Sequence, residues 1–574
     1  MKVNNILKRS KARTTFAIIT ALMTCMFMFA GCGTSGGSAD ADAEEAVAEQ
    51  DIDLMAHGDP LKITCSNGGM VGRDDGTVSA FLGVPYAEQP VGDLRWKAPV
   101  PAADSDEDID CGMFGHTALQ YEWPTEPASS TPKGEDCLTL NIWSADSDAD
   151  IEKTDGKNVM VFFHGGAYGW GGTTDPMYNG YNFAKANSNT IIVTCNYRLG
   201  LMGFADFSQI PGGEGYTDIN LAIRDHVCAL QWIKKNIANF GGNPDNITIF
   251  GESAGGWSVS ALLVSPLSKG LFNRAIIESG GLPVKEREDA QEFAKYICES
   301  AECETMDELQ EISTKEWLKI EADNWIADEC CGLVYDGEVI PEESEWDAAL
   351  KDKINDGVSV LMGANSDEWN YFKEDAEGDT DEERFDNWHA EMNELWHDVY
   401  EDCNFAGKNT MDELYKTLEA QVPEEYAQDK TTKDAITKSK FCTESWRLDH
   451  TKFADRYVDL GGTVYMYYWD VPSTMEEYYK SAVHAVELAY VFNNVDDGIY
   501  AGEVDKDVAG ETQAAWTLFA ATGDPSVGAN NWTPYTKANR ETMKIQKGGW
   551  EMANDPMGNV REMLDSVDAY DLLW

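Results

Sequence analysis

Residues 246–265 read NITIFGESAGGWSVSALLVS. Asn246 to Phe250 supplies β-branched and aromatic side chains for a short buried strand, while Gly256 to Ser265 contains no proline and can continue as a helix. Ser253 therefore falls on a sharp strand-to-helix corner, inside a GESAG segment that fits G-x-S-x-G. Gly251 and Gly255 place no side chain where the two elements close on each other. The N-terminus of the following helix aims free N–H groups at whatever the serine attacks. G-x-S-x-G alone recurs by chance in many proteins; the flanking strand and helix make it specific here, and the corner predicts a nucleophile elbow.

A nucleophile at such a corner needs a base, an orienting acid and an oxyanion site, with the acid preceding the histidine in the chain. Of the eight histidines, only His389, His397, His450 and His484 follow Ser253 with room for an acid between. His389 and His397 lie in the acidic run ERFDNWHAEMNELWHDVYED (383–402), spaced like one exposed helical face. His450, in the charged helix-like run WRLDHTKFADRY (446–457), takes the same surface reading. His484 differs, because SAVHAVELAYVF (481–492) follows the strand-like TVYMYYWDV (463–471) after a short polar gap and leads into an apolar stretch; it is the expected base. For the acid, VSVLMGANSDEW (358–369) places Asp367 and Glu368 just beyond the apolar run Val358–Met362, and spacing does not choose between them. Upstream, VMVFFHGGAYGWGG (159–172) joins another apolar strand to a glycine-rich loop whose successive N–H groups can converge on an oxyanion. His164 within it reads as a loop-shaping residue.

Further segments extend the pattern: FLGVPYAEQPVGDLRWKAP (81–99), EDCLTLNIW (135–143), NYRLGLMGF (196–204), ALQWIKKNIANFGGNPDNITIFGESAGG (229–256), SPLSKGLFNRAIIESG (265–280) and FAATGDPS (519–526) with a following WTPY. From about residue 69 to 535 the chain resembles the type-B carboxylesterases, the cholinesterase-like family of α/β-hydrolases. The resemblance implies an α/β-hydrolase fold, with a large, mostly parallel central sheet flanked by helices and helical insertions at 283–350 and 370–480 forming the walls and mouth of a gorge. It implies hydrolysis of neutral carboxylic esters through an acyl-enzyme, with Ser253, Glu368 and His484 as the triad, which selects Glu368 over Asp367. The oxyanion donors implied are the N–H groups of Gly166, Ala167 and Ala254; alanine replaces the family's third glycine, adding a methyl group and keeping the donor. No metal or organic cofactor is implied. Trp257, Trp369, Tyr371 and Phe372 are candidates for lining an acyl or alcohol pocket. Members of the family that lost the nucleophile serve in adhesion, and others are lipases; both are alternatives to a carboxylesterase of dissolved esters.

Two departures concern cysteines. The family bridges the cysteine of its EDCL motif to one just before an upstream glutamine, but Cys137 here faces FGHTALQ, and Cys111 could substitute only after a backbone shift. Cys137 is therefore expected to be unpaired or irregularly paired. The second family bridge is also in question, because Cys298 and Cys303 lie only five apart and the later partner region reads DELQEIS.

The first 31 residues differ from the rest. Five positive residues, Lys2, Lys8, Arg9, Lys11 and Arg13, precede an apolar run from Phe16 to Ala30, with no acid before Asp40. At about 15 residues the run falls short of a membrane-spanning helix, so it predicts an export signal. FAGC (29–32) resembles a bacterial lipobox, which would lipidate Cys32 and anchor the protein at the outer face of the cytoplasmic membrane; the alternative is ordinary cleavage nearby and a secreted protein. Residues 32–55 are small and acidic and read as a flexible tether, leaving 56–574 as one catalytic domain. Removing the five positive charges of the signal takes the formal charge from −57 to −62. Such a field disfavours nucleic acid and anionic ligands and leaves neutral small molecules as the easier substrates. Of the 13 cysteines, setting aside Cys25 and Cys32 leaves an odd number, so at least one thiol is free or pairs between chains. Cys195 and Cys228 read as small buried hydrophobes. Adjacent Cys330 and Cys331 have no assigned role, and no CxxC pair or HExxH suggests zinc. Oligomeric state is not legible.

Overall fold

The computed structural model describes residues 54–120, 132–145, 156–324, 332–373, 376, 380–405, 410–494, 501–502 and 504–567. The export signal, Cys32, most of the tether, and Cys330 and Cys331 lie outside the described residues. A 13-stranded sheet organises the chain. Twelve of its strands are β1 (Asp59–Cys65), β2 (Gly68–Asp74), β3 (Val78–Pro85), β4 (Thr139–Ala145), β5 (Lys157–Phe163), β6 (Thr190–Cys195), β7 (Gly242–Glu252), β8 (Arg274–Glu278), β9 (Ser359–Asn365), β10 (Thr463–Asp470), β11 (Glu541–Gln546) and β12 (Glu551–Asn554). Their spatial order is β1-β2-β3-β4-β6-β5-β7-β8-β9-β10-β11-β12. From β6 to β11 every neighbour is parallel, and antiparallel strands finish both edges.

The apolar runs become central strands because they are buried on both faces, and alternate side chains enter different cores. Val159, Val161, Ile247, Ile249 and Ile277 join one cluster, with Ile223, Leu230 and Ile233 of helix α1 (Leu221–Asn236) and Leu262 and Leu263 of α2 (Ala254–Val264). Met160, Phe162, Phe250 and Ile276 point the other way, toward Trp516 and Phe519 of a helix spanning Lys506–Thr522. Cys195 and Cys228 are buried free thiols, as expected of small hydrophobes, and Cys137 is also free and buried.

Helical segments leave the sheet after β8 and after β9. The first includes α3 (Arg287–Ser300) and α4 (Met306–Glu311); the second includes α5 (Asp381–Phe405), α6 (Thr410–Glu419) and α7 (Lys430–Asp459). Trp388, Met392, Leu414, Phe441 and Leu448 give this second insertion its own apolar cluster. No described helix is long and apolar enough to cross a membrane.

Candidate active site

The GESAG corner forms as a strand-to-helix reversal between β7 and α2. Ser253 occupies it with φ 56° and ψ −124°, and its N–H donates to the Glu278 carbonyl at 2.9 Å, pinning the corner to the end of β8. The glycine pattern has a steric cause. A Cβ on Gly255 would stand 1.9 Å from the Phe163 oxygen, and one on Gly251 would stand 2.5 Å from the backbone of Gly255. Gly256 lets the helix approach Gly280, where an added Cβ would come within 2.9 Å of Cα.

The glycine-rich loop after β5 runs against this corner. A Cβ at Gly165 would meet the Glu252 carbonyl oxygen at 3.0 Å and the Ser253 Cβ at 3.1 Å. Gly166, Ala167 and Tyr168 have positive φ values of 100°, 50° and 63°. The methyl of Ala167 is therefore held on left-handed backbone, at a cost of about 1 kcal/mol relative to glycine. Among the described residues, the N–H groups of Gly166, Ala167 and Ala254 donate to no backbone carbonyl. Tyr197 Oη donates to the His164 carbonyl at 2.7 Å and the two rings stack at 4.4 Å, while His164 Nδ1 lies 2.8 Å from the Gly165 carbonyl. Burial lowers the His164 pKa to about 4, so the ring stays neutral and shapes the loop.

Glu368 and His484 meet on loops after β9 and β10. His484 Nδ1 lies 2.6 Å from Glu368 Oε2, and Glu368 Oε1 accepts from Ser279 Oγ and from the Asn365 N–H, each at 2.6 Å. The two loops are stitched by backbone: the Asp367 N–H donates to Ala482 at 3.0 Å and the His484 N–H to the Glu368 carbonyl at 3.3 Å. The opposite nitrogen, Nε2, faces the elbow, 3.2 Å from Glu252 Oε1 without the alignment of a hydrogen bond. Asp367, the other acid candidate, turns away to a buried ion pair with Lys440 of α7 and accepts from Ser366 Oγ at 2.7 Å.

Sequence reading missed most of the surrounding polar residues. Glu252, Glu278 and Glu487 are buried near Glu368, and burial pushes each pKa up, that of Glu278 to about 8. Neighbouring carboxylate charges add to the effect at Glu252 and Glu487. Glu278 Oε1 accepts from Trp516 Nε1 and Glu487 Oε2 from Asn365 Nδ2, both at 2.5 Å. The adjacency of Glu252 and Glu278 to sharp turns was visible in sequence; their convergence was not.

The surface reading of His450 is incorrect. His450 is fully buried, its pKa lowered by burial to about 4, and Glu368 is close enough to act on it electrostatically. Thr443, Trp446 and His450 recur at helical spacing on one buried face of α7, and the neighbouring charged residues Lys440, Glu444 and Asp449 are buried as well. His397 is exposed, and His389 is half-buried against Asp434 at 2.9 Å. Trp446, Phe372 and Tyr371 have ring centroids 5.1, 5.4 and 6.1 Å from that of His484, Trp369 lies behind Phe372 at 5.3 Å, and Trp257 meets Tyr168 at 5.6 Å. Among the described residues, no cluster of histidine, cysteine and acidic groups is arranged to hold a metal ion.

Comparison with known proteins gives a family match: a model described as "Carboxylesterase family" covers residues 59–561. The chain is 31% identical over 526 residues to para-nitrobenzyl esterase of Bacillus subtilis (strain 168), covering 88% of this chain and 98% of that protein. Acetylcholinesterase of Leptinotarsa decemlineata is 27% identical over 564 residues, covering 89% of this chain and 86% of that protein. Among solved structures, a carboxylesterase of Geobacillus stearothermophilus at pH 6.2 superposes with a TM-score of 0.70 at 30% identity, covering 88% of this chain and 99% of that one.

Proposed function

The chain belongs to the carboxylesterase family and is a carboxylic ester hydrolase of α/β-hydrolase fold; from that premise we propose that it hydrolyses neutral esters through an acyl-enzyme on Ser253, with His484 as base and Glu368 as its orienting acid. The observation that carries this reading is the 2.6 Å contact of His484 Nδ1 with Glu368, which turns Nε2 toward Glu252 and the elbow that bears Ser253.

In this mechanism Nε2 accepts the Ser253 proton as Oγ attacks the ester carbonyl, and the imidazolium so formed is held by Glu368. The oxyanion is received by the N–H groups of Gly166, Ala167 and Ala254; each such donor contributes about 3 kcal/mol in comparable sites. His484 then returns its proton to the leaving alcohol, and the same imidazole activates the water that releases the acid. Burial raises the pKa values of Glu252 and Glu278, that of Glu278 to about 8, which favours their neutral forms and weakens their competition with Glu368 for the imidazolium. The rings of Trp446, Phe372, Tyr371 and Trp257 supply apolar walls suited to an uncharged ester. Export by residues 1–31 and lipidation at Cys32 would present this site outside the cell on the acidic tether, with residues 56–574 forming one catalytic domain.

The test is hydrolysis of p-nitrophenyl esters from acetate to palmitate by the mature protein, with Ser253→Ala alongside. Turnover confined to short chains and absent from the variant is the expected result. Preference for emulsified long-chain esters would make the protein a lipase of the same family, and undiminished activity in Ser253→Ala would overturn the assignment of the nucleophile.

A further inference from the structure

The end of α3 brings two cysteines together. The Glu302 N–H donates to the Glu299 carbonyl at 3.1 Å and the Cys303 N–H to the Cys298 carbonyl at 3.0 Å, while Glu302 is left-handed at φ 54°. This is a Schellman ending, the arrangement in which the side chains at the Cys298 and Cys303 positions come into contact. The 3.0 Å backbone bond limits the Cα separation of the two cysteines to about 7 Å, and disulfides span Cα separations of about 4.4–6.8 Å. Both thiols are free. Cys298 is buried, whereas Cys303 is half-buried and lines an open groove with Ala301, Glu308 and Ile312, so one sulfur is reachable from solvent. Burial pushes the Cys298 thiol up to about 11 and, with Glu308 beside it, raises Cys303 less, so the half-buried Cys303 is the sulfur placed to attack first and exchange is favoured at alkaline pH.

We propose that Cys298 and Cys303 form an oxidisable pair that closes a disulfide across the end of α3 by exchange with an external disulfide donor. The Cys303 thiolate attacks one donor sulfur, forming a mixed disulfide and releasing one donor thiolate. The Cys298 thiolate then attacks the Cys303 sulfur and expels the second. The pair loses two electrons, the donor S–S bond gains them, and the two cysteine protons pass to the released thiolates. The closed loop would clamp the α3–α4 corner. α4 starts from a capping box between Thr305 and Glu308, and the Leu309, Gln310 and Ile312 carbonyls at its far end accept from Arg95, which is paired with Glu135 at 2.5 Å. The clamp thus braces a segment docked over a buried ion pair. It differs from the second bridge that the family resemblance implies, whose partner region, DELQEIS, holds no cysteine. The inference stands apart from the catalytic reading.

The test uses the native full-length mature chain, incubated with oxidised glutathione, then denatured, alkylated with iodoacetamide and digested with trypsin. Both cysteines fall in one tryptic peptide, 296–315. The expected peptide carries no alkyl label and is lighter than the free dithiol by two hydrogens; prior dithiothreitol restores both labels. Cys298→Ser should retain Cys303 as a glutathione adduct, because nothing resolves it. Oxidised wild type should melt at higher temperature than reduced wild type, with no such difference in Cys298→Ser. Recovery of the wild-type peptide with both thiols alkylated, or with both as glutathione adducts, after native oxidation would overturn the proposal.

Discussion

Replacing Ser279 with alanine should lower kcat/KM for p-nitrophenyl acetate by roughly ten- to a hundredfold, almost entirely in kcat. Ser279 Oγ donates to Glu368 Oε1 at 2.6 Å, and Glu368 is fully buried, so no solvent hydrogen bond is at hand to replace it. The Asn365 N–H shares the same oxygen at 2.6 Å and His484 Nδ1 engages the other at 2.6 Å, leaving the carboxyl with two of its three donors. A hydrogen bond to a charged partner contributes about 1.5–3 kcal/mol, and each 1.4 kcal/mol of barrier is about tenfold in rate. In the proposed mechanism the loss belongs to the step in which His484 becomes charged, where Glu368 would hold the imidazolium more than the neutral ring. KM should therefore change little. Ser279 is a positioning residue, and a merely structural role would instead show as a lowered melting temperature with kcat retained in the folded fraction. The assay is steady-state hydrolysis alongside thermal unfolding and titration of active sites with an organophosphate. A fully folded variant with kcat within about twofold of wild type would refute the reasoning, since one donor to Glu368 would then be dispensable.

Glu368→Gln should reduce kcat by about three to four orders of magnitude, as loss of a triad acid does elsewhere. Asp367→Asn should leave kcat near wild type and instead cost about 3 kcal/mol in urea unfolding, because Lys440 would remain buried without its partner; the opposite pattern would exchange the two assignments. Glu278→Gln tests the buried carboxyls. Its folded pKa, raised to about 8, exceeds the unfolded value near 4.5, so its contribution to stability is full below about pH 4.5 and is lost as pH rises toward 8. Wild-type melting temperature should decline across that window and the variant less steeply; parallel curves would refute protonation of Glu278 in the folded protein. Gly255→Ala should destabilise by about 3 kcal/mol or more, because its Cβ would stand 1.9 Å from the Phe163 oxygen. A variant that unfolds within about 1 kcal/mol of wild type would show that β5 and the elbow can separate without strain.

Local pattern carried the fold because central strands need burial on both faces and the reversal at Ser253 needs glycine at fixed offsets. Both demands are written within a few neighbouring residues, as in VMVFF and GESAG. The same holds for the HGGAY loop, where an added Cβ at Gly165 or Gly166 would meet neighbouring atoms at 3.0 Å or less. His450 shows where this reading stops. Its run WRLDHTKFADRY is charged, and only the docking of α7 on the sheet reveals that the histidine is buried.

The sequence by itself determined the strand and helix elements, the elbow, the glycine loop and the placement of His484 after β10, since each follows from side-chain volume, charge and backbone freedom over short distances. Choosing Glu368 over Asp367 from the residues alone was not possible, because both follow the same strand. Tertiary structure separated them: Lys440 of α7 takes Asp367, while Ser279, Asn365 and His484 converge on Glu368. The cluster of Glu252, Glu278 and Glu487 and the pairing of Tyr197 with His164 were decided in the same way. These contacts join residues far apart in the chain, and their protonation depends on burial that exists only once the sheet and its insertions have packed.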